Sequence, residues 1–168
     1  MLKKILFILI SFNLSICIGL KALVIPQSAS LLSTSSTGIC YSYEINPALL
    51  FVNDSYISLS KNSWIGGVAG QKISYIFNNR NYISFESLSI NDIELRDEIA
   101  SESPIGFFGA HWYAAEINES YDLAFNEGLT FGYKIKFNYS KLFTESMHGY
   151  SIDLGFNNKI KENLEIGL

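Results

Sequence analysis

Apolar and polar residues alternate strictly along residues 127–138, EGLTFGYKIKFN. The apolar residues are Leu129, Phe131, Tyr133, Ile135 and Phe137. The residues between them are small or cationic, namely Thr130, Gly132, Lys134 and Lys136. Successive side chains of a β-strand point to opposite faces, so this stretch predicts a strand with one wholly apolar face. Other stretches alternate in the same way, with almost no helical pattern between them. The sequence therefore predicts an all-β protein, an antiparallel transmembrane β-barrel with apolar faces toward lipid and polar faces toward the interior.

About seven strand-like stretches follow this pattern, and polar stretches separate them. The predicted strands are residues 56–60, 64–77, 82–90, 105–117, 127–138, 151–157 and 164–168, with residues 121–125 leading into the fifth. The predicted connections are a hairpin turn at 78–81, a charged loop at 91–104, a turn at 118–120, a polar connection at 139–147 and a turn at 157–163. A bacterial barrel needs about eight strands or more, and an open sheet edge is costly in lipid. We therefore expect the chain to be the N-terminal part of a longer barrel, or its sheet to close through several chains.

Two strands carry local irregularities. Ile83 and Phe85 share one phase of the alternation while Leu88 and Ile90 share the other, which predicts a bulge or a slip of register within 82–90. Glycines at 66, 67 and 70 predict a bulge or a close approach of another backbone. The N-terminal segment is the expected neighbour.

The first 21 residues differ from the rest of the chain. Lys3 and Lys4 precede an apolar run that polar residues interrupt from Ser11 onward. A basic start followed by a short apolar run is typical of a secretory signal peptide, whereas a membrane-spanning helix needs about 20 mostly apolar residues. We predict a signal peptide at 1–21 and a partial barrel domain at 22–168. Residues 22–55 are its N-terminal segment, of which the part at 22–37 either carries a short helical turn and tucks into or across the barrel, or is a flexible linker.

Composition narrows the function classes. The chain of 168 residues has a formal net charge of −4, and 14% of its residues are aromatic. No basic stripe stands out, which argues against a nucleic-acid partner. If Cys17 leaves with the signal peptide, Cys40 is alone and is predicted to be a small packed thiol. No motif for a metal or cofactor site is present, so neither is predicted.

The most specific stretch is residues 37–50, TGICYSYEINPALL. Pro47 fixes its own φ and drives Asn46 toward an extended conformation, and the Asn46 side chain can bond the backbone ahead of it, so Asn46, Pro47 and Ala48 predict a turn. This turn, with Gly38 before it and Trp64 after it, resembles the NPA element of PorV/PorQ-like outer-membrane proteins, relatives of the FadL-type fatty-acid transporters.

The resemblance extends into the second half of the chain. Gly132, Ile135 and Lys136 occupy places like those of the family's lysine strand, and the triplet 153–155 is similar to the Asp-Leu-Gly strand that follows it. Two features depart from the family: Leu49 replaces the glycine common after the turn, and the acidic pair upstream is reduced to Glu44. The second departure puts any polar contact from that pair in doubt.

The resemblance implies a function at the cell surface. Members of this family are longer chains that fold as FadL-like barrels in the outer membrane of Gram-negative-type bacteria. It implies an association with type IX protein secretion or transport, with outer-membrane lipid and either secretion-system proteins or secreted cargo as partners. The alternatives are a FadL-like uptake channel for hydrophobic compounds and a non-membrane, β-rich envelope structural protein.

Candidate catalytic residues are few, and no enzyme is predicted. His111 and His148 are the only histidines, and no nucleophile, zinc-protease or phosphate-loop motif accompanies them. Lys134, Lys136 and Asp153 lie on the polar side of clear strands and are predicted to face the lumen. Their ordinary role there is hydration and mutual pairing; selection of a substrate or partner is the alternative.

Overall fold

The computed structural model of the protein describes residues 25, 28–35, 37–98, 102–123, 128–161 and 164–168. The predicted signal peptide at 1–21 lies outside the described residues. Within them, β-strands dominate, and the helical structure is limited to the short helix α1, Ala29–Ser33, and a 3-10 turn, Pro47–Leu49. The short helical turn expected in the N-terminal segment is therefore present.

Each strand of the sheet pairs antiparallel with the next one along the chain. The strands are β1 Tyr56–Ser63, β2 Val68–Phe77, β3 Asn81–Leu95, β4 Gly106–Asp122, β5 Leu129–Leu142, β6 Glu145–Lys161 and β7 Leu164–Gly167. Their order in space is their order in the sequence, which confirms the all-β antiparallel prediction. In the described part of the chain β1 and β7 are the two ends of this order, so the sheet is open rather than a closed barrel.

The sheet has two ends, which we name by their connections. The loop end carries the β1–β2, β3–β4 and β5–β6 connections, and the turn end carries the β2–β3, β4–β5 and β6–β7 connections. At the turn end Asn78 and Asn79 have φ of 50° and 64°, the left-handed conformation that a tight hairpin requires. The predicted hairpin at 78–81 is thus confirmed, with Asn81 already in β3.

Several predicted connections are strand instead. The turn at 118–120 is wrong because β4 runs through it, and the polar Asn118 and Ser120 side chains bond to residues that precede the sheet. The Asn118 Nδ2 donates to the Tyr43 carbonyl at 3.2 Å, and the Ser120 hydroxyl donates to the Leu50 carbonyl. Polar residues that suggest a turn locally are therefore satisfied by distant partners.

The connections predicted at 139–147 and 157–163 are also shorter than expected. The β5–β6 ladder continues to the pair Leu142 and Glu145, leaving two residues for the turn, and β6 continues to Lys161. Backbone pairing does not need apolar side chains, so these strands extend past the point where apolar alternation stops. The charged loop predicted at 91–104 starts later for the same reason, since β3 reaches Leu95.

The phase change within 82–90 has no register slip behind it. Leu88 is buried on the same side of the sheet as Tyr82 and Glu86, and pairing with β4 continues without a break from Asn81 to Ile90. The irregularity falls between Ile90 and Ile93, beyond the predicted stretch. The bulge predicted inside 82–90 is therefore wrong, because Leu88 and Ile90 are apolar residues on the covered side, in phase with Tyr82 and Glu86.

Candidate functional site

The two faces of the sheet have opposite character, and the exposure is inverted relative to a water-soluble protein. One face, the outer face, exposes large apolar side chains: Leu59 is 75% exposed, Ile117 is 52% and Ile152 is 67%. The other face is covered by residues 37–52, which we call the cover segment, and buries polar and charged residues. They include Lys72, Ser74, Ser84, Glu86, Glu116, Asn118, Ser120, Lys134 and Asn157.

The small apolar core lies between the cover segment and this covered face. Leu50 from the segment packs with Ile76 and Tyr82 from neighbouring strands, and Tyr43 and Val52 pack against them. The Tyr43 and Tyr82 rings meet edge to face with centroids 5.5 Å apart. Because this core is small, polar contacts carry much of the attachment between segment and sheet, and they define the candidate site.

A buried chain of ion pairs crosses the covered face. The Lys72 ammonium lies 2.8 Å from the Glu44 carboxylate of the cover segment and 3.8 Å from the Glu86 carboxylate. Glu86 also pairs with Lys136, so it bridges two lysines. All four side chains are largely buried, and burying a charge is tolerable only when it is paired in this way.

The three residues predicted to face the lumen lie together on this face. The Lys134 ammonium lies 3.1 Å from the half-exposed Asp153 carboxylate, and it donates a hydrogen bond to the Glu44 backbone carbonyl at 2.9 Å. Glu44 thus contacts Lys72 through its side chain and Lys134 through its backbone. The polar contact that the sequence left in doubt at Glu44 is present.

The turn at Asn46, Pro47 and Ala48 is the most tightly held part of the cover segment. Asn46 Oδ1 accepts from the Ala48 amide at 3.0 Å, closing the local turn, and Pro47 begins the 3-10 turn as its φ favours. Asn46 Nδ2 donates to the Ile39 carbonyl at 3.0 Å and to the Phe156 carbonyl of β6 at 3.1 Å. One buried side chain therefore fixes the turn to itself, to the rest of the segment and to the sheet.

Three glycines of the sheet let this turn approach. A Cβ on Gly132 would overlap the backbone of Pro47 and Ala48, one on Gly155 would lie 2.8 Å from Pro47 Cδ, and one on Gly167 would lie 2.6 Å from the Ile39 carbonyl oxygen. The close approach of the segment expected at Gly66 and Gly67 is therefore wrong, since the segment approaches these three other glycines instead. Gly66 and Gly67 have open space around them and φ of 85° and 76°, so their role is the β1–β2 turn.

Two tyrosine hydroxyls join the cover segment to β1. The Tyr43 and Tyr56 hydroxyls lie 3.1 Å apart. Burial, followed by this hydrogen bond, raises the pKa of the Tyr43 hydroxyl well above its ordinary value. The Tyr43 hydroxyl is consequently neutral at physiological pH, and it takes part as a hydrogen-bonding group while the ring packs in the core.

Sequence reasoning missed the acidic half of the site. Glu86 and Glu116 fall in phase with Ser84 and with Asn118, at the alternate positions between outward apolar residues. That period-two polar pattern was a usable signal, but the residues around Asn118 were interpreted as a turn. Pairing between Glu86 and Lys136, which are 50 residues apart, had no local signal.

The remaining candidate residues, two histidines and one cysteine, lie outside this buried chain of ion pairs. His111 and His148 lie at outward positions near the loop end, and Cys40 is a free, half-buried thiol of the cover segment. Among the described residues, no group of three or more His, Cys, Asp or Glu side chains could hold a metal ion. None of the helices in the described part of the chain has the length and apolar character to cross a membrane.

The chain was compared with known proteins by sequence and by structure. No family model matches it, and no curated protein and no solved structure matches it either. The resemblance to PorV/PorQ-like proteins therefore rests on the residues quoted for it in the sequence.

Proposed function

We propose that this protein is an outer-membrane β-barrel protein in which the seven strands form part of the wall and the cover segment lies on the lumen side. The observation that carries the proposal is the inverted exposure: buried ion pairs on one face and exposed large apolar side chains on the other. Water would favour the opposite arrangement, whereas a bilayer outside and a polar interior favour this one.

The outer face supports this proposal through the register of its side chains. Two adjacent rows run across six strands with no polar residue in either. They are Leu59–Ile73–Phe85–Ala115–Phe137–Tyr150 and Ile57–Tyr75–Ile83–Ile117–Ile135–Ile152. At a strand spacing of ~4.8 Å these rows extend roughly 24 Å across the sheet. Contiguous exposed apolar surface of this kind marks contact with lipid or with another protein layer.

Aromatic side chains border the apolar rows at both ends. Tyr113 and Tyr139 stack at the loop end with centroids 6.3 Å apart, and Tyr121 and Tyr133 stack at the turn end at the same distance. Both tyrosines of the second pair donate hydrogen bonds to the Glu119 carboxylate. Tyr113 and Tyr121 are eight residues apart on β4, which is ~27 Å along a strand and ~20 Å along the normal of a bilayer for a strand tilted by about 40°. This is close to the ~25 Å apolar band of outer-membrane barrels.

The open edges imply further strands. β1 and β7 each present backbone groups that a sheet in lipid has to pair, since an unpaired group costs several kcal/mol there. Within the proposal, additional strands close the wall between β7 and β1, either from the same polypeptide or from other chains.

The more specific proposal is a PorV/PorQ-type protein that serves type IX secretion or transport, with outer-membrane lipid and secreted cargo or secretion proteins as partners. It rests on the residues of the NPA turn, Gly132, Lys136 and the triplet 153–155. A FadL-like uptake channel for hydrophobic compounds is the alternative within the same fold. Retention of secreted proteins inside cells that lack the gene supports secretion, whereas loss of uptake of a labelled fatty acid with normal secretion supports the channel.

One experiment tests the membrane proposal directly. The complete gene product, with its signal peptide, is expressed in a Gram-negative host, and outer membranes are run on a detergent gel with and without boiling. We expect an unboiled band that migrates faster, because a closed barrel stays compact in detergent. A soluble periplasmic protein with no heat shift would overturn the proposal and favour the non-membrane envelope protein, whose outer face would then lie against a second protein layer.

A further inference from the structure

The outer face of β1, β2 and β3 carries a depression of about 440 Å³ close to the loop end. Its floor is one row of apolar side chains, and the neighbouring row toward the loop end is polar. The floor is Leu59, Ile73 and Phe85, the polar row is Lys61, Gln71 and Ser87, and Ser60 and Lys72 lie between the two rows along the strands. A depression with a cation and two hydrogen-bonding side chains along one border of an apolar floor has the polarity of a lipid molecule.

The depression continues along the strands away from its polar border. A second one, of about 330 Å³, shares Ile73 and Phe85 with the first and extends toward the turn end past Ile57. Lys61 and Ile57 are four residues apart on β1, or ~13 Å. Together the two depressions form an apolar track that begins beneath Lys61 and has room for the first part of an extended acyl chain.

The charged residues along the polar border indicate which charge a bound lipid headgroup would carry. Lys61 is exposed and forms no ion pair with any described residue. Two outward rows at the loop end contain lysine and histidine but no carboxylate. They are Lys61–Gln71–Ser87–Tyr113–Tyr139–His148 and Ser63–Ala69–Ser89–His111–Lys141–Ser146. The turn-end border, by contrast, carries Glu119 on the same face. The carboxylates of the loop end, Asp92 and Glu94 among them, lie further along the chain than Ser89 and belong to neither of these rows. An anionic headgroup is therefore favoured beside Lys61 itself, because a lysine ammonium is a good point-charge partner for a lipid phosphate.

We propose that this track is a docking site for one anionic phospholipid, with its phosphate against Lys61, Gln71 and Ser87 and an acyl chain over Ile73 and Phe85. This inference rests on the proposed membrane function. It adds a specific lipid contact on the outer surface, at the loop end of β1–β3, to a wall that otherwise contacts lipid without selection.

The test uses the complete protein, purified in mild detergent and equilibrated with equal amounts of phosphatidylglycerol and phosphatidylcholine. Native mass spectrometry measures the ratio of the two lipids that remain bound. We expect phosphatidylglycerol to dominate and Lys61→Gln to lower the ratio about fivefold, the effect of one lysine near an anionic headgroup. Lys61→Arg keeps the charge and should keep the ratio. Lys141→Gln is the matched control, since it removes an outward lysine of the same border that lies outside the depression.

The outcomes separate this inference from the proposed function. A protein with the heat shift that shows no preference for phosphatidylglycerol overturns the lipid site alone. Equal losses in Lys61→Gln and Lys141→Gln also overturn it, because they indicate unselective attraction to the border. A protein that neither enters membranes nor shows the heat shift overturns both. Lys61 is exposed, so its variants should keep the heat shift of the parent protein.

Discussion

Replacing Gly132 with alanine should loosen the cover segment from the sheet. The added Cβ would overlap the carbonyl carbon of Pro47 and the amide nitrogen of Ala48. Both are backbone atoms, so no side chain can rotate away and the turn itself has to move. Gly155 limits that movement on the neighbouring strand, where Pro47 already lies in close contact.

Two effects of the substitution act on different equilibria. Alanine in place of glycine in a strand favours global folding by about 0.4–1 kcal/mol through the unfolded chain, but Gly132 lies in a folded strand whether or not the segment is docked. The docking equilibrium is therefore shifted by the overlap alone, which costs about 1–3 kcal/mol, or about 5- to 150-fold. The Asn46 bond to the Phe156 carbonyl and the Lys134 bond to the Glu44 carbonyl should weaken together, because both join segment to sheet.

Cys40 provides the assay, since it is a free, half-buried thiol within the segment. In a Cys17→Ser background it is the one cysteine of this sequence, and its rate of maleimide labelling reports how often the segment leaves the sheet. We expect Gly132→Ala to raise the rate about fivefold or more, following the shift in docking. Gly106→Ala is the control, because an added Cβ there meets no atom within 4 Å. Equal labelling of both variants and the parent would refute the role assigned to Gly132.

Two further substitutions test the two faces separately. Glu86→Gln removes the shared partner of Lys72 and Lys136, so it should lower the free energy of unfolding in lipid vesicles by about 3 kcal/mol. The control is Glu94→Gln, which removes an exposed ion pair and should change this free energy by less than about 1 kcal/mol. Equal small effects would mean that the buried pairs contribute little. If Ile117 on the outer face lies at the bilayer midplane, Ile117→Arg should lower the free energy of unfolding in the same assay by about 2–4 kcal/mol. Tyr139→Arg, at the border of the apolar rows, should lower it by only about 0–1 kcal/mol. A harmless Ile117→Arg would argue against lipid on this face.

The alternation of side chains was enough to predict which residues share a face. Lys134, Lys136 and Asp153 were assigned to the polar side from period two alone, and they lie together on the covered face. A shared face can be assigned in this way because the side-chain period of a strand is fixed by its geometry, and that this face borders a lumen stays a prediction. The period is independent of partners, so the assignment needs no knowledge of the rest of the fold.

The ends of the strands and the partners of the charges could not be predicted in this way. Asn118 and Ser120 suggested a turn because they are polar. Their acceptors, the Tyr43 and Leu50 carbonyls, precede them by 75 and 70 residues and so do not appear in the local sequence. The ion pair between Lys72 and Glu44 likewise joins residues that are 28 positions apart in the sequence. Such contacts depend on which strands become neighbours and on where the cover segment crosses them, and neither is encoded in a local pattern.

Glu44 shows why the cover segment and the sheet depend on each other. Its carboxylate pairs with Lys72 and its carbonyl accepts from Lys134, so displacing the segment removes one partner from each lysine. The same segment buries this face, and a lysine inside a buried face needs such partners. The apolar contribution acts in the same direction, because Leu50 from the segment completes the small core with Ile76 and Tyr82. The outer face adds no protein core of its own in the described part of the chain, so the packing that the covered face gains beyond strand pairing and the ion pairs of Glu86 and Asp153 comes from this segment.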